Sequence, residues 1–115
     1  MTTILIAEDE ARIATFVAKG LRRAGYTTQI ATDGHQALAL AAQCDLILLD
    51  IGLPNIDGWA VLKKLRAQSP QPPIIVVTAL DNVEERHRSL ALGANDFISK
   101  PFRFNRLLTC IRRYV

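Results

Sequence analysis

The chain has 115 residues, half of them hydrophobic, and a net charge of +3 at neutral pH, which together predict one domain with a substantial core. No apolar run approaches the roughly 20 residues that a membrane-spanning helix needs, and the start, MTTILIAEDE, lacks the features of a secretory leader. We therefore expect a soluble cytoplasmic protein whose two cysteines, Cys44 and Cys110, stay reduced.

Short apolar runs predict the strands, and four of these runs stop at a polar residue. A further strand is predicted over residues 26–31. The residues that follow or end the four runs are, in chain order, Glu8-Asp9-Glu10, Asp50, Thr78 and Lys100. Unbroken aliphatic runs are typical of parallel strands that are covered on both faces.

Segments with helical periodicity lie between the strands. The first helix is predicted to end at Gly25, and its expected core face comprises Ile13, Phe16, Val17, Leu21 and Ala24. Later helices are predicted after Asp33-Gly34, after Asp57-Gly58, between a capping box at Asp81 and Glu84 and a stop at Gly93, and over residues 107–114. Five alternating pairs predict an α/β fold, a flavodoxin-like doubly wound (βα)5 three-layer sandwich with a parallel sheet of order 2-1-3-4-5.

This strand order brings acidic residues together at one edge of the sheet. The first and third strands are neighbours, so Glu8, Asp9 and Asp50 should converge beyond their carboxyl ends. Close carboxylates repel one another, and a divalent cation removes that conflict. Because all the ligand atoms are oxygen, Mg²⁺ or Mn²⁺ suits them better than zinc and leaves a position for a phosphate oxygen.

Each of these residues also has a structural interpretation. Acidic residues after the first strand suit the positive end of a helix dipole, whereas Asp50 at the end of an aliphatic strand suggests chemistry or capping. A carboxylate there can act as a nucleophile toward phosphorus. Thr78 and Lys100 would offer a hydroxyl and an ammonium to the phosphoryl oxygens, although either could be a loop cap or an exposed strand-end charge.

The blocks ILIAEDE, LILLDIGLPNIDG, IIVVTA and GANDFISKPF resemble, in order and spacing, the receiver domains of two-component response regulators. Within that family, the closest resemblance is to receivers that precede a winged-helix DNA-binding domain. The resemblance implies that Asp50 accepts a phosphoryl group from a histidine kinase or a small phosphodonor. It further implies that Asp9, Asp50 and the Gly52 carbonyl bind Mg²⁺, with Glu8 acting on the metal mostly through water.

The same resemblance assigns the switch. Thr78 would move toward the phosphoryl group and Phe97 would turn inward behind it, while Lys100 would pair with Asp50 or its phosphate. The bond between Lys100 and Pro101 is expected to be cis. No other cofactor is implied, and the domain would be no enzyme beyond catalysing its own phosphorylation and dephosphorylation.

The resemblance also bears on partners and output. Residues 1–115 are expected to form the receiver without an effector domain, so that a DNA-binding domain lies outside this chain or the receiver stands alone and acts by docking or phosphorelay. Arginines at the C-terminal end favour a solvated helix face over nucleic-acid binding, because no aromatic residues interleave with them; they are Arg103, Arg106, Arg112 and Arg113.

The sequence does not decide whether the chain forms the symmetric homodimer that is usual in this subfamily and that uses the fourth and fifth helices. Arg106 stands where an acid is usual and Cys110 where a base is usual. Arg86 would then face Arg106 across the dimer, and Asp96 would lose its basic partner. Like charges at such an interface destabilise it slightly.

Three rival functions fit less well. A phosphohydrolase with an aspartyl nucleophile would want a second acid two residues later, where Gly52 stands. A flavodoxin-like cofactor binder would want a hydroxyl- and glycine-rich loop after the first strand, where the acidic residues 8–10 would repel phosphate. A degenerate receiver would lack Asp50, Thr78 or Lys100.

Overall fold

The computed structural model describes residues 1–79 and 82–115 and shows a parallel five-stranded sheet flanked by helices. The strands are β1 Thr3–Ala7, β2 Thr27–Ala31, β3 Leu46–Asp50, β4 Ile74–Thr78 and β5 Asp96–Ser99. The helices are α1 Ala11–Arg23, α2 Gly34–Leu40, α3 Gly58–Gln68, α4 Val83–Ala91 and α5 Phe104–Arg112, and a 3-10 turn, Ala41–Gln43, follows α2. None of the helices in these described ranges combines the length and hydropathy that crossing a bilayer requires.

The strand order is β2-β1-β3-β4-β5, which confirms the prediction. All neighbouring strands are parallel, and their register pairs Ala7 with Leu49 and Asp50 with Val77. Because parallel strands end at one edge, the residues after β1, β3, β4 and β5 meet there. The three-layer α/β fold is therefore the one predicted.

Alternation along the strands divides the core into two layers. Ile4 and Ile6 of β1 pack on one face of the sheet with Leu21 of α1 and Ile111 of α5, whereas Leu5 packs on the other face with α2 and α3. β3 and β4 are buried along their whole length. This is the burial that unbroken aliphatic runs predict for central parallel strands.

The core face of α1 differs from the prediction at several positions: Val17 and Leu21 are buried as predicted, Ala14 and Ala18 are buried without having been predicted, and Ile13 and Ala24 are only partly buried. The buried side chains are Ala14, Val17, Ala18 and Leu21, which follow the helical spacing i, i+3, i+4 and i+7. Phe16, which was placed on that face, is 55% exposed. Its ring packs edge to face against Phe104 of α5, with ring centroids 6.1 Å apart.

The start of α4 is formed by Asn82, whose side chain accepts a hydrogen bond from the Glu85 amide at 2.8 Å. The predicted capping box involves Asp81, which lies outside the described residues. The predicted end is confirmed, since Gly93 follows the helix with a positive φ of 106°. Ser89 is the buried residue of α4, whereas Val83 and Leu90 are exposed.

Candidate functional site

Three carboxylates meet at the carboxyl edge of the sheet. Glu8 and Asp9 follow β1, Asp50 ends β3, and one oxygen of each lies within 4.8 Å of an oxygen of the others. Glu8 and Asp50 are buried, and Asp9 is exposed to solvent. An all-oxygen set that is open on one side fits a hard divalent cation, which keeps some of its waters. The sequence therefore predicted this acidic cluster correctly.

Lys100, directly after β5, pairs with two of these carboxylates. Its Nζ lies 2.6 Å from Glu8 Oε1 and 3.2 Å from Asp50 Oδ2. The pair with Asp50 was predicted, but the shorter pair with Glu8 was not. The Lys100 amide also donates to the Thr78 carbonyl at 2.8 Å, and the bond from Lys100 to Pro101 is cis, as expected.

Burial and charge act against each other at this ion pair. Burial raises the pKa of Glu8 from 4.5 to about 6; the hydrogen bond from Lys100 opposes this shift and the nearby Asp50 adds to it. Burial alone would lower the pKa of Lys100, but the carboxylates of Glu8 and Asp50 outweigh it, so that the pKa is raised. Lys100 therefore stays charged, and added positive charge at this cluster would favour ionised Glu8.

We expect divalent-cation binding to strengthen as the pH rises through the raised pKa of Glu8. Mg²⁺ affinity should be about tenfold weaker at about pH 5 than at about pH 7.5, because the proton competes for the carboxylate. Isothermal titration calorimetry at the two pH values measures this difference. In the absence of metal, the stability of the fold changes with pH in the opposite direction. The raised pKa of Glu8 stabilises the fold below about pH 4.5, and this contribution is lost as the pH rises through about 6.

A Glu8→Gln variant is the control for that titration. Glutamine preserves the shape of the side chain but does not titrate, so the variant should show little difference in Mg²⁺ affinity between the two pH values. An equally steep pH dependence in the variant would show that another group carries the effect.

Among the described residues, each carboxylate oxygen of Asp50 accepts a hydrogen bond. Oδ1 accepts from the Gly52 amide at 3.0 Å, and Oδ2 accepts from Lys100. A Cβ built on Gly52 would lie 3.6 Å from Asp50 Oδ1, which is an ordinary contact. Glycine at this position is therefore not required by packing against Asp50, and the role of its carbonyl as a metal ligand stays a prediction.

Thr78 and Phe97 lie on the neighbouring strands β4 and β5. Thr78 ends β4 and is buried at the same edge as Asp50. Phe97 is half-buried, and the guanidinium of Arg86 lies over its ring, 5.4 Å from the centroid. Thr78 and Phe97 thus lie on adjacent strands, and their part in a switch stays a prediction.

Asp96 has a basic partner within its own chain. Its carboxylate lies 3.4 Å from Arg113 Nη1, and the Tyr114 hydroxyl donates to it at 3.2 Å. Burial opposes the effect, but hydrogen bonds from Phe97, Cys110 and Tyr114 and the charge of Arg113 lower the pKa of Asp96. This intrachain pair does not test the expected loss of a basic partner at the dimer face, which stays a prediction.

Cys110 and Cys44 are free thiols, as expected. Burial, with the nearby Asp96 carboxylate, raises the pKa of Cys110 to about 12. Burial likewise raises the pKa of Cys44. Since the thiolate is the reactive form, neither side chain has the properties of a nucleophile.

Comparison with known proteins places this geometry in a family. The model of the response regulator receiver domain matches residues 4–112. The transcriptional regulatory protein HprR of Escherichia coli is 46% identical over 111 residues, which are 95% of this chain and 49% of HprR. The chain therefore spans about half the length of the curated relatives it matches.

Solved structures agree with this match. The receiver domain of the Francisella response regulator 1452 superimposes with a TM-score of 0.94 at 33% identity and covers 99% of this chain and 96% of its own. The BeF3-activated receiver domain of Klebsiella pneumoniae RstA gives a TM-score of 0.92 at 33% identity and covers 98% and 97%.

Proposed function

The chain belongs to the response regulator receiver domain family, and we propose that it is a switch set by phosphorylation of Asp50 with Mg²⁺ or Mn²⁺ as cofactor. One observation carries this proposal: Glu8, Asp9, Asp50 and Lys100 come together from three separate strand ends. A cation-binding carboxylate cluster beside a fixed ammonium is the arrangement that phosphoryl transfer requires.

In the proposed reaction, a carboxylate oxygen of Asp50 attacks the phosphorus of the donor. A P–N bond breaks when the donor is a phosphohistidine, or a P–O bond when it is acetyl phosphate, and the leaving group departs with the electron pair. The divalent cation, when bound by Asp9, Asp50 and the Gly52 carbonyl with Glu8 beside it, supplies charge that offsets the phosphoryl oxygens. Lys100 keeps its charge in the buried site and neutralises a further oxygen.

The acyl phosphate is then removed by water, which regenerates Asp50 and releases inorganic phosphate. Gly52 supplies no acid that would protonate a leaving group, so the chain's residues support this self-reaction better than turnover of other phosphate esters. We propose no other catalytic activity and no further cofactor.

We expect the domain to gain one phosphoryl group when it is incubated with acetyl phosphate and Mg²⁺. Intact mass spectrometry detects the added group, and hydroxylamine should remove it, because acyl phosphates react with this nucleophile. Chelation of the metal should reduce the rate by at least about tenfold, since the carboxylates and the dianionic acetyl phosphate would otherwise repel one another. Equal phosphorylation with and without metal would contradict the proposed site.

The proposed partners follow from the family and from the relatives. A sensor histidine kinase would supply the phosphoryl group, and the transcriptional regulators among the relatives suggest a DNA-binding effector outside this chain. A stand-alone receiver that acts by docking or phosphorelay is the alternative. Free Cys44 and Cys110 suit the reducing cytoplasm, where we place the protein.

For the output, we propose that Thr78 moves toward the phosphoryl group and that Phe97 fills the space behind it. The face formed by α4, β5 and α5 would change as a result. It exposes Val83 and Leu90 on α4 and Arg106 on α5. The proposed face therefore combines apolar and basic groups.

We expect this face not to form the usual tight symmetric dimer, because Arg106 replaces an acid there. Sedimentation with beryllofluoride, a phosphoryl mimic, should show a monomer or a weak dimer, and Arg106→Glu should strengthen dimerisation. A tight dimer that Arg106→Glu weakens would contradict this expectation.

A further inference from the structure

The loop between β3 and α3, residues 51–57, is tied at its tip to the start of α2. Asn55 Nδ2 donates a hydrogen bond to Asp33 Oδ2 at 3.0 Å. The other oxygen of the same carboxylate, Oδ1, accepts from the Gln36 amide at 2.8 Å and so caps α2. The Asp33 side chain therefore caps α2 and also binds the tip of the β3–α3 loop.

Asn55 has a backbone conformation that needs support. Its φ of 72° is positive, and among the described residues it shares this feature with two glycines only. An L-residue with a side chain is strained in this region, although asparagine tolerates it better than most residues. Such strain persists where surrounding contacts hold the backbone, and the bond to Asp33 is such a contact.

Backbone contacts reinforce the connection. The Gly34 amide lies 3.4 Å from the Pro54 carbonyl, and a Cβ on Gly34 would come within 2.8 Å of Ile56. At the base of the loop, the Gly58 amide donates to the Ile51 carbonyl at 3.2 Å. The loop is thus held both at its base and at its tip.

We propose that Asp33 is a positioning residue for the phosphorylation site, acting through Asn55 on the loop that carries Gly52. This inference rests on the proposed function, because it concerns the same metal and phosphoryl site. Gly52 lies between the base of the loop and Asn55, and its amide already bonds to Asp50 Oδ1. Holding the tip of the loop fixes the position of the Gly52 carbonyl relative to Asp50. The carbonyl is thereby pre-organised to bind a cation.

The alternative is that Asp33 serves α2 alone as its N-cap. An Asp33→Ser variant separates the two roles, since serine is an equally good N-cap. Its hydroxyl can keep the bond from the Gln36 amide, but it has no second oxygen to accept from Asn55 Nδ2. Asn55→Gly removes the other partner while tolerating the positive φ.

The test compares Mg²⁺ affinity by calorimetry, phosphorylation rate with acetyl phosphate, and thermal stability. Asp33→Ser and Asn55→Gly should each weaken Mg²⁺ binding by about three- to tenfold, the range expected for the loss of one ordinary hydrogen bond. The double variant should be no weaker than the single variants, because both remove one shared interaction.

Gln36→Ala is the matched control. Gln36 Oε1 accepts from Thr32 N and Oγ1 on the same turn and has no described contact with the loop. This variant should retain wild-type Mg²⁺ affinity even if α2 loses stability. Wild-type affinity in Asp33→Ser, or an equal loss in Gln36→Ala, would overturn the positioning role while leaving the proposed function intact. A wild-type domain that neither binds Mg²⁺ nor gains a phosphoryl group would overturn both.

Discussion

Asp50→Asn should abolish phosphorylation by acetyl phosphate, with a fall in rate of at least about a hundredfold. Asparagine nearly preserves the size of the side chain, and its oxygen can still accept from the Gly52 amide or from Lys100. Asparagine lacks the anionic oxygen that attacks phosphorus. The substitution also leaves the cluster with two of its three carboxylates. Intact mass over time measures the loss, and circular dichroism checks that the fold is retained.

Asp57→Asn is the control for this substitution. Asp57 lies at the end of the β3–α3 loop, which follows Asp50. Its side chain caps α3 by accepting from the Trp59 amide at 2.9 Å, a bond that asparagine can keep. Asp57→Asn removes one negative charge, as Asp50→Asn does, but it should leave phosphorylation near the wild-type rate. Phosphorylation of Asp50→Asn at that rate, with the group mapped to Glu8 or Asp9, would assign the nucleophile to a different carboxylate.

The sheet and its polar edge were predictable because their signals are local. Residues 46–49 and 74–77 are uninterrupted aliphatic runs, which a central parallel strand requires. Once the alternation of strands and helices gives the order 2-1-3-4-5, the positions of Asp9, Asp50 and Lys100 follow from the direction of the strands.

The features that the sequence did not predict depend on residues far apart in the chain. Glu8 and Lys100 pair across a separation of 92 residues. Strand order alone does not say whether Lys100 pairs with Glu8 or with Asp50. Phe16 lies on the opposite side of α1 from the buried stripe of Ala14, Val17, Ala18 and Leu21, so its exposure follows from the helical period once the true core face is known. Its contact with Phe104 of α5, in contrast, joins two distant helices and could not be predicted from α1 alone.

The weak apolar anchoring of α4 fits the proposed output. Arg88 lies over the Trp59 ring at 4.4 Å, and Arg86 lies over the Phe97 ring at 5.4 Å. Cation–π contacts contribute only about 0.5–2 kcal/mol each, much less than a buried helix face. The proposed movement of Phe97 would remove the ring beneath Arg86, which is one of the contacts between α4 and β5.

Gly58→Ala should be the most destabilising small substitution near the site. An added Cβ would collide with both the Cα and the carbonyl oxygen of Ile51, so that backbone rather than a flexible side chain must move. We expect a loss of about 2 kcal/mol or more in the free energy of unfolding. Ile51 joins Asp50 to Gly52, so phosphorylation should slow as well. Urea denaturation and the acetyl phosphate assay measure the two effects.

Gly25→Ala separates strain at the site from the general effect of adding a methyl group to a glycine. Gly25 has a φ of 97° and no atom within 4 Å of an added Cβ, so alanine there should cost about 1–2 kcal/mol through backbone strain alone. It lies after α1, away from the β3–α3 loop, and phosphorylation should therefore continue at the wild-type rate. If Gly58→Ala slowed phosphorylation no more than Gly25→Ala, the close approach of Gly58 to Ile51 would have no part in shaping the site.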